Sequence, residues 1–218
     1  MKFTGVNLLS ELNKEEMADL RAVFRERTFA KDTIIFTPED ETNQAFIIAS
    51  GRVRVYLAYE DKEFTLAILN PGDLYATHSG CFIQAFEPTT LLVADVHAVK
   101  TVMDQVPMFT RTMVRVLGNI LHNSFSIIGG LAFKDIYARL MDYILSEAKE
   151  SGTAENGGVA ISLGLTIEQL SQLMGASRQT VSTLLNNMVR AGLMIKQGRG
   201  SYFIPDMEKL EKATGEQI

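Results

Sequence analysis

The spacing of the apolar residues changes once along this chain, after His97, and that change limits the possible folds more than any other feature. From Thr28 to about Val96, short runs rich in β-branched and aromatic residues end at turn signals. Ile34-Ile35-Phe36 stops at Thr37-Pro38, Ala45-Phe46-Ile47-Ile48 at Ser50-Gly51, and Val53 to Leu57 at Glu60-Asp61-Lys62. Phe64 to Ile68 stops at Asn70-Pro71-Gly72-Asp73, and two further runs occupy 82–86 and 91–96. Runs this short predict a small antiparallel barrel or roll, because parallel strands would need long crossovers between them.

Beyond Met108 the period is helical. Up to Phe133, turn residues are confined to Gly118 and the Gly129-Gly130 pair, while Val114, Leu117, Leu121, Ser124, Ile128 and Leu131 recur at alternating steps of three and four. That is a coiled-coil seam, which predicts a homodimer; a helix packed on its own β-domain is the alternative. Gly118 permits close approach at the seam, and Gly129-Gly130 weakens the helix where a bend or hinge can sit. Lys134 to Glu150 reads as a second amphipathic helix with Ile136, Leu140, Ile144 and Leu145 inward, and 151–158 as a flexible loop.

The strongest local signal lies at 166–191. Thr166 can cap a helix through Met174, with Gln169 as its capping-box partner and Ile167, Leu170 and Leu173 inward. Gly175 suits the turn that ends it. Ser177 caps a second helix, Arg178 to Arg190, whose buried stripe is Val181, Leu184, Leu185 and Met188. Two short helices joined in this way make a helix-turn-helix, whose second helix enters the major groove of DNA. In its first turns, Arg178 suits a bidentate contact to guanine and Gln179 a contact to adenine or mixed contacts. Ser177, Thr180, Ser182 and Thr183 suit phosphate or secondary contacts. Lys196 to Tyr202, with Arg199, reads as a basic hairpin wing beside the groove. A helical hairpin that binds no nucleic acid is the competing reading; the exposed Ser-Arg-Gln-Thr and the basic wing favour DNA.

A net charge of −5 argues against a non-specific nucleic-acid coat but leaves room for a specific reader with its positive charge on one face. No apolar run is long enough to span a bilayer, and Met1 to Gly5 lacks a secretory core. The lone Cys81 can neither close an internal disulfide nor hold an iron–sulfur cluster by itself. The expectation is a cytoplasmic, non-membrane protein that is not an enzyme.

Taken together, the β-runs, the seam helix and Gly175-Ala176-Ser177-Arg178-Gln179-Thr180-Val181-Ser182 resemble the CRP/FNR superfamily of transcription regulators, over nearly the whole chain. The resemblance implies an α+β chain: a cupin-like antiparallel β-roll over 1–107, a dimerisation helix over 108–133 and a winged helix-turn-helix over 134–218. It implies a palindromic DNA target, an activator that works with RNA polymerase, and a hinge near Phe133–Asp135. Cyclic-nucleotide-binding members carry a Gly-Glu-Leu turn and an Arg-Ser pair; here Pro71-Gly72-Asp73 is followed instead by Leu74-Tyr75-Ala76-Thr77-His78-Ser79-Gly80-Cys81, and the place of the arginine reads Glu87-Pro88-Thr89-Thr90, with no cation for a phosphate.

Gly72-Asp73-Leu74-Tyr75-Ala76-Thr77-His78-Ser79-Gly80-Cys81 is similar instead to the haem-binding stretch of the CooA family, the carbon-monoxide sensors of that superfamily. Gly51 to Leu57, Val116-Leu117-Gly118, Phe133-Lys134-Asp135 and Ser177 to Thr180 match the same family. That resemblance implies haem b ligated by His78 and, in the ferrous state, by the N-terminal amine of the partner subunit, which carbon monoxide displaces. Here the amine is that of Met1, since Lys2 blocks methionine removal. A neutral imidazole is a standard haem ligand, and an α-amine of pKa about 8 both ligates and leaves near neutral pH. The gas pocket is expected to be lined by Val114, Leu117, Gly118 and Leu121. Family members often carry a cysteine where this chain has Ala76, so the ferric ligand is left to His78 alone, water or Cys81; Cys81 itself reads as a small buried hydrophobe. His97 and His122 read as solvated. A regulator of this fold with another effector and no haem is the first alternative. A cupin-type metalloenzyme is the second, although it needs several converging ligands and the β-region offers His78 and His97.

Overall fold

Eight strands answer to the period-two region in the computed structural model, which describes residues 8–103 and 107–213, with side chains except at 11, 16, 78, 102, 103, 107–113, 115 and 116. They are β1 (Arg25–Phe29), β2 (Ile34–Phe36), β3 (Gln44–Ser50), β4 (Val53–Tyr59), β5 (Lys62–Leu69), β6 (Leu74–Ala76), β7 (Phe82–Ala85) and β8 (Thr89–Asp95). They form two antiparallel four-stranded sheets, ordered β1-β8-β3-β6 and β2-β7-β4-β5. One core holds inward residues of both sheets, among them Phe46, Ile48, Val53, Val55, Ile83 and Leu91. A second core covers the other face of the first sheet, where Ala45, Ile47 and Ala94 meet Leu8 and Leu12 of α1 (Leu8–Leu12), Leu20 of α2 (Ala18–Val23) and Val99 of α3 (Val96–Met103). Burial on both faces explains why Ala45 to Ile48 is an unbroken apolar run, whereas β5 alternates. The β1 strand, Arg-Glu-Arg-Thr-Phe, carries no strand signal because it is a charged, exposed edge paired to β8.

The helical half comprises α4 (Pro107–Phe133), α5 (Ile136–Ser151), α6 (Ile167–Met174), α7 (Arg178–Arg190) and α8 (Met207–Lys212), with β9 (Thr153–Glu155), β10 (Gly158–Ser162), β11 (Ile195–Gly198) and β12 (Ser201–Ile204) in a sheet ordered β11-β12-β10-β9. The stretch 151–158 is therefore not a flexible loop. Asn156 and Gly157, both at positive φ, turn β9 into β10, with Glu155 opposite Gly158; Asn-Gly supplies the left-handed pair that a two-residue hairpin needs. Leu140, Met141, Ile144, Leu170, Val181, Leu185 and Met188 form the core here, each side chain worth roughly 1.5–3 kcal/mol on burial. In α6 the inward residues are Leu170, Ser171 and Met174, with Ile167 and Leu173 half-buried, a small rotation from the expected stripe.

By its internal contacts the chain divides into two compact units between Ile127 and Ile128, inside α4 and upstream of Phe133–Asp135. Among the described residues no helix is long and apolar enough to cross a membrane.

Candidate nucleic-acid interface and effector site

Both helices of the 166–191 motif are fixed by side-chain caps. The Thr166 hydroxyl accepts from Gln169 N at 3.2 Å, and the Gln169 side-chain Oε1 accepts from Thr166 N at 2.8 Å, closing the capping box. Gly175, at φ 62°, ends α6 in the left-handed conformation that a side chain would disfavour. Ser177 caps α7 by accepting from Thr180 N at 3.0 Å, and its hydroxyl lies 2.8 Å from that of Thr180. Val181, Leu185 and Met188 are buried and Leu184 half-buried, so the opposite face of α7 presents Arg178, Gln179 and Thr183 to solvent, flanked by the half-buried Thr180 and Ser182. Ser177 and Thr180 thus shape the first turn as well as facing out.

Arg178 and Arg199 line one open cleft of about 640 Å³ with Thr166, Gln169, Gly200 and Tyr202. Its floor is tied by the Leu163 amide, which donates to the Gly200 carbonyl at 2.9 Å. Among the described residues neither arginine has an acidic partner within ion-pair distance. Two unspent guanidiniums and a helix start facing the cleft suit an anionic backbone.

In the roll, His78 lies on a 3-10 turn, Thr77–Ser79, between extended Ala76 and left-handed Gly80; its side chain is outside the described set. The first residue of the turn ties it to the segment at 42–44. Buried Thr77 donates its hydroxyl to the Thr42 carbonyl and accepts from Gln44 N at 3.0 Å. Cys81 is buried in the inner core as expected, with its thiol donating to the Ser79 carbonyl at 3.6 Å. The Tyr75 phenol is pushed up to about 12, chiefly by burial; Cys81 adds to the rise and a hydrogen bond with Ser79 opposes it. Thr77 was not singled out from the sequence, although a hydroxyl beside the histidine in so short a turn was its available signal.

Glu87 stands where cyclic-nucleotide-binding members have arginine, and it pairs with Arg52 at 3.0 Å. Gly51, at φ +77°, brings this arm close: a Cβ there would run into the Pro88 carbonyl and Thr89. The acid and its partner are spent on each other.

On α4, Val114, Leu117 and Leu121 are 65%, 59% and 55% exposed, and Phe125, Ile128 and Leu131 continue the stripe over roughly 26 Å. Phe125 was missed because it sits beside the seam position Ser124, whose hydroxyl is turned back onto the Ile120 carbonyl at 2.9 Å. Ile120 rests on the roll's outer core, so α4 does pack on its own domain, but with a different face from the seam. A Cβ at Gly118 would meet nothing within 4 Å. His97 and His122 are exposed. Met1 lies outside the described residues. Among those described, no three or more His, Cys, Asp or Glu side chains gather as a metal site.

A β-roll joined through a long helix to a winged helix-turn-helix with an unpaired basic face defines a DNA-binding transcription regulator with an effector-type domain. Residues 138–213 match the Crp-like helix-turn-helix domain and residues 26–106 the cyclic nucleotide-binding domain. The fold superposes on a CooA mutant from Carboxydothermus hydrogenoformans with a TM-score of 0.91 and 42% identity, covering 97% of each chain. It is 31% identical to the reduced (FeII) CO-sensing protein from R. rubrum, covering 95% of this chain and 98% of that one, at a TM-score of 0.54. A CRP-like cAMP-activated global transcriptional regulator of Mycobacterium tuberculosis is 27% identical, covering 84% of this chain and 85% of its own. This chain belongs to the CRP/FNR family of transcription regulators and lies close to CooA within it.

Proposed function

We propose that this protein is a haem-dependent, carbon-monoxide-sensing transcription regulator, of activator type, that binds palindromic DNA as a homodimer. The observation that carries the reading is the anchored turn at His78, set in a chain 42% identical to a CooA protein over 97% of its length. The residues present fit an iron porphyrin. The turn supplies one imidazole and no cation, and α4 supplies a bare apolar stripe with open space at Gly118. His78 would hold the iron of haem b, and the Met1 amine of the partner subunit would be a weaker second donor. The group would supply a ferrous centre that takes a diatomic gas. Val114, Leu117, Gly118 and Leu121 would wall that side and exclude water.

The segments 1–107, 108–133 and 134–218 act as sensor, dimerisation helix and DNA-binding domain. The exposed seam pairs with its copy, which sets two recognition helices for two half-sites. Arg178 and Gln179 read base edges, while Ser177, Thr180, Ser182, Thr183 and Arg199 hold the backbone. RNA polymerase is the downstream partner by family likeness. A second reading, a regulator of this fold answering to a different effector, is favoured by the match of 26–106 to the cyclic nucleotide-binding domain and opposed by the Arg52–Glu87 pair.

The test is the absorption spectrum of haem-reconstituted, reduced protein before and after carbon monoxide. A six-coordinate spectrum that shifts with gas, and is lost together with gas-dependent DNA binding in His78→Ala, is expected. Colourless protein that takes up no haem sinks the sensor and leaves the DNA reader standing.

A further inference from the structure

The reading above leaves unused the foot of α4. Arg139, in the first turn of α5, donates Nη1 to the carbonyls of Lys134 at 2.7 Å and Gly130 at 3.4 Å, and Nη2 to the carbonyl of Met174, the last residue of α6, at 2.9 Å. The Lys134 amide donates to the Gly130 carbonyl at 3.1 Å, and its ammonium lies 2.6 Å from the Asp142 carboxylate. Asp135 caps α5, accepting from Ala138 N at 2.7 Å. The α4–α5 corner is thus bonded through main chain and side chain, and one guanidinium ties it to the first helix of the DNA-reading motif.

A few residues upstream the situation reverses. A Cβ at Gly129 would meet nothing within 4 Å, and one at Gly130 would meet only Arg139 Cδ, at 3.8 Å. Neither glycine has a positive φ. Alanine fits at both positions within the single chain, and two adjacent glycines weaken a helix. The division between the two compact units falls at Ile127/Ile128, directly before them.

We infer that Gly129-Gly130 is the flexure of α4, and that Arg139 is a positioning residue that makes the turn after it one piece with α5 and α6. The flexure then lies upstream of Phe133–Asp135, and the corner itself is stiff.

Residue-resolved hydrogen exchange on the full chain tests this without DNA or gas, so the result is independent of the effector. In the native protein the amides of 129–133 should exchange roughly tenfold or more faster than those of 137–141, and Gly129→Ala/Gly130→Ala should remove most of that difference. Arg139→Met should accelerate both the Lys134 amide and the amides of Gly175 and Ala176 that close α6. Arg139→Lys, which keeps the charge but cannot reach three carbonyls, should restore one set and not both. Should Arg139→Met fail to fold, the surface variant Asp142→Asn should still speed exchange at Lys134. Equal protection of 129–133 and 137–141 overturns the flexure. Unchanged exchange at Lys134 in the folded variants overturns the clamp.

Discussion

In the unit that begins at Ile128, the side chains proposed to read DNA come from one chain and mostly from one helix: Arg178, Gln179 and Thr183 face out because Val181, Leu185 and Met188 face in. In the roll, the effector site on the proposed reading is assembled from a three-residue turn at 77–79, an exposed face of α4 and a second copy of the chain. The first site is set by helical periodicity and caps, which act over three or four residues. The second is set by contacts between distant segments, such as Thr77 held by Thr42 and Gln44. A local site survives separation from its surroundings; an assembled one does not.

The largest effect follows from the part of the assembled site that one chain leaves open. Leu117→Asp places a carboxylate in the centre of the exposed stripe. Burying it against its own copy should cost about 4 kcal/mol, a rise of about a thousandfold in the dimer dissociation constant, read by sedimentation across a concentration series. Thermal unfolding of the roll should hardly move when both proteins are compared dilute enough to be monomeric, since Leu117 is 59% exposed in the single chain. A variant that remains dimeric at the same concentrations would show that copies meet elsewhere.

In the recognition helix the expected effect is smaller and sharper. Arg178→Ala should cost about 1–3 kcal/mol at one base pair of a selected operator and little at the others. Arg199→Ala should weaken all sequences alike and flatten the salt dependence by about one unit. If both variants weaken all sequences alike, Arg178 serves the backbone and base reading belongs to Gln179. Below that in size is the cap: Ser177→Ala should lower the stability of the DNA-binding unit by about 1 kcal/mol in denaturant melts, through loss of the bond to Thr180 N. Ser177→Asp should retain it.

The same contrast explains what could be read from sequence. The capping box at Thr166 and Gln169, the cap at Ser177, the stripe on α7 and the runs that became β2 to β5 rest on local rules, and all are present. The edge strand β1 was not legible, because its charges serve to keep other chains off a sheet edge. The hairpin at Asn156-Gly157 was hidden by a polar composition that loops and turns share. Met174 turned inward where Ile167 and Leu173 were expected to dominate, since the partner elements and not α6 decide which face is covered. Arg139 gave no signal at all: its three carbonyl partners become neighbours only after α4, α5 and α6 have packed. At the effector turn, the residue types were legible and the anchoring was not.

The smallest effect compares two phenols, one in each unit, the half-buried Tyr75 and the buried Tyr202. Burial raises the Tyr202 phenol in the DNA-binding unit, and burial also leads the rise of Tyr75 to about 12, but Tyr75 has Ser79 and Cys81 beside it as well. For a phenol raised above its unfolded value of about 10, the stabilisation is complete below that pH and is lost as pH climbs through the folded value. A phenolate absorbance titration should therefore show a late step near pH 12 that Tyr75→Phe removes, with resistance to denaturant falling between about pH 10 and 12 more steeply in the native protein than in the variant. Because Cys81 pushes Tyr75 upward, Cys81→Ala should bring that step down slightly while leaving Tyr202 where it was. A Tyr75 step near 10 would mean that water reaches the turn below His78, and the anchored turn would then be too open to aim a ligand.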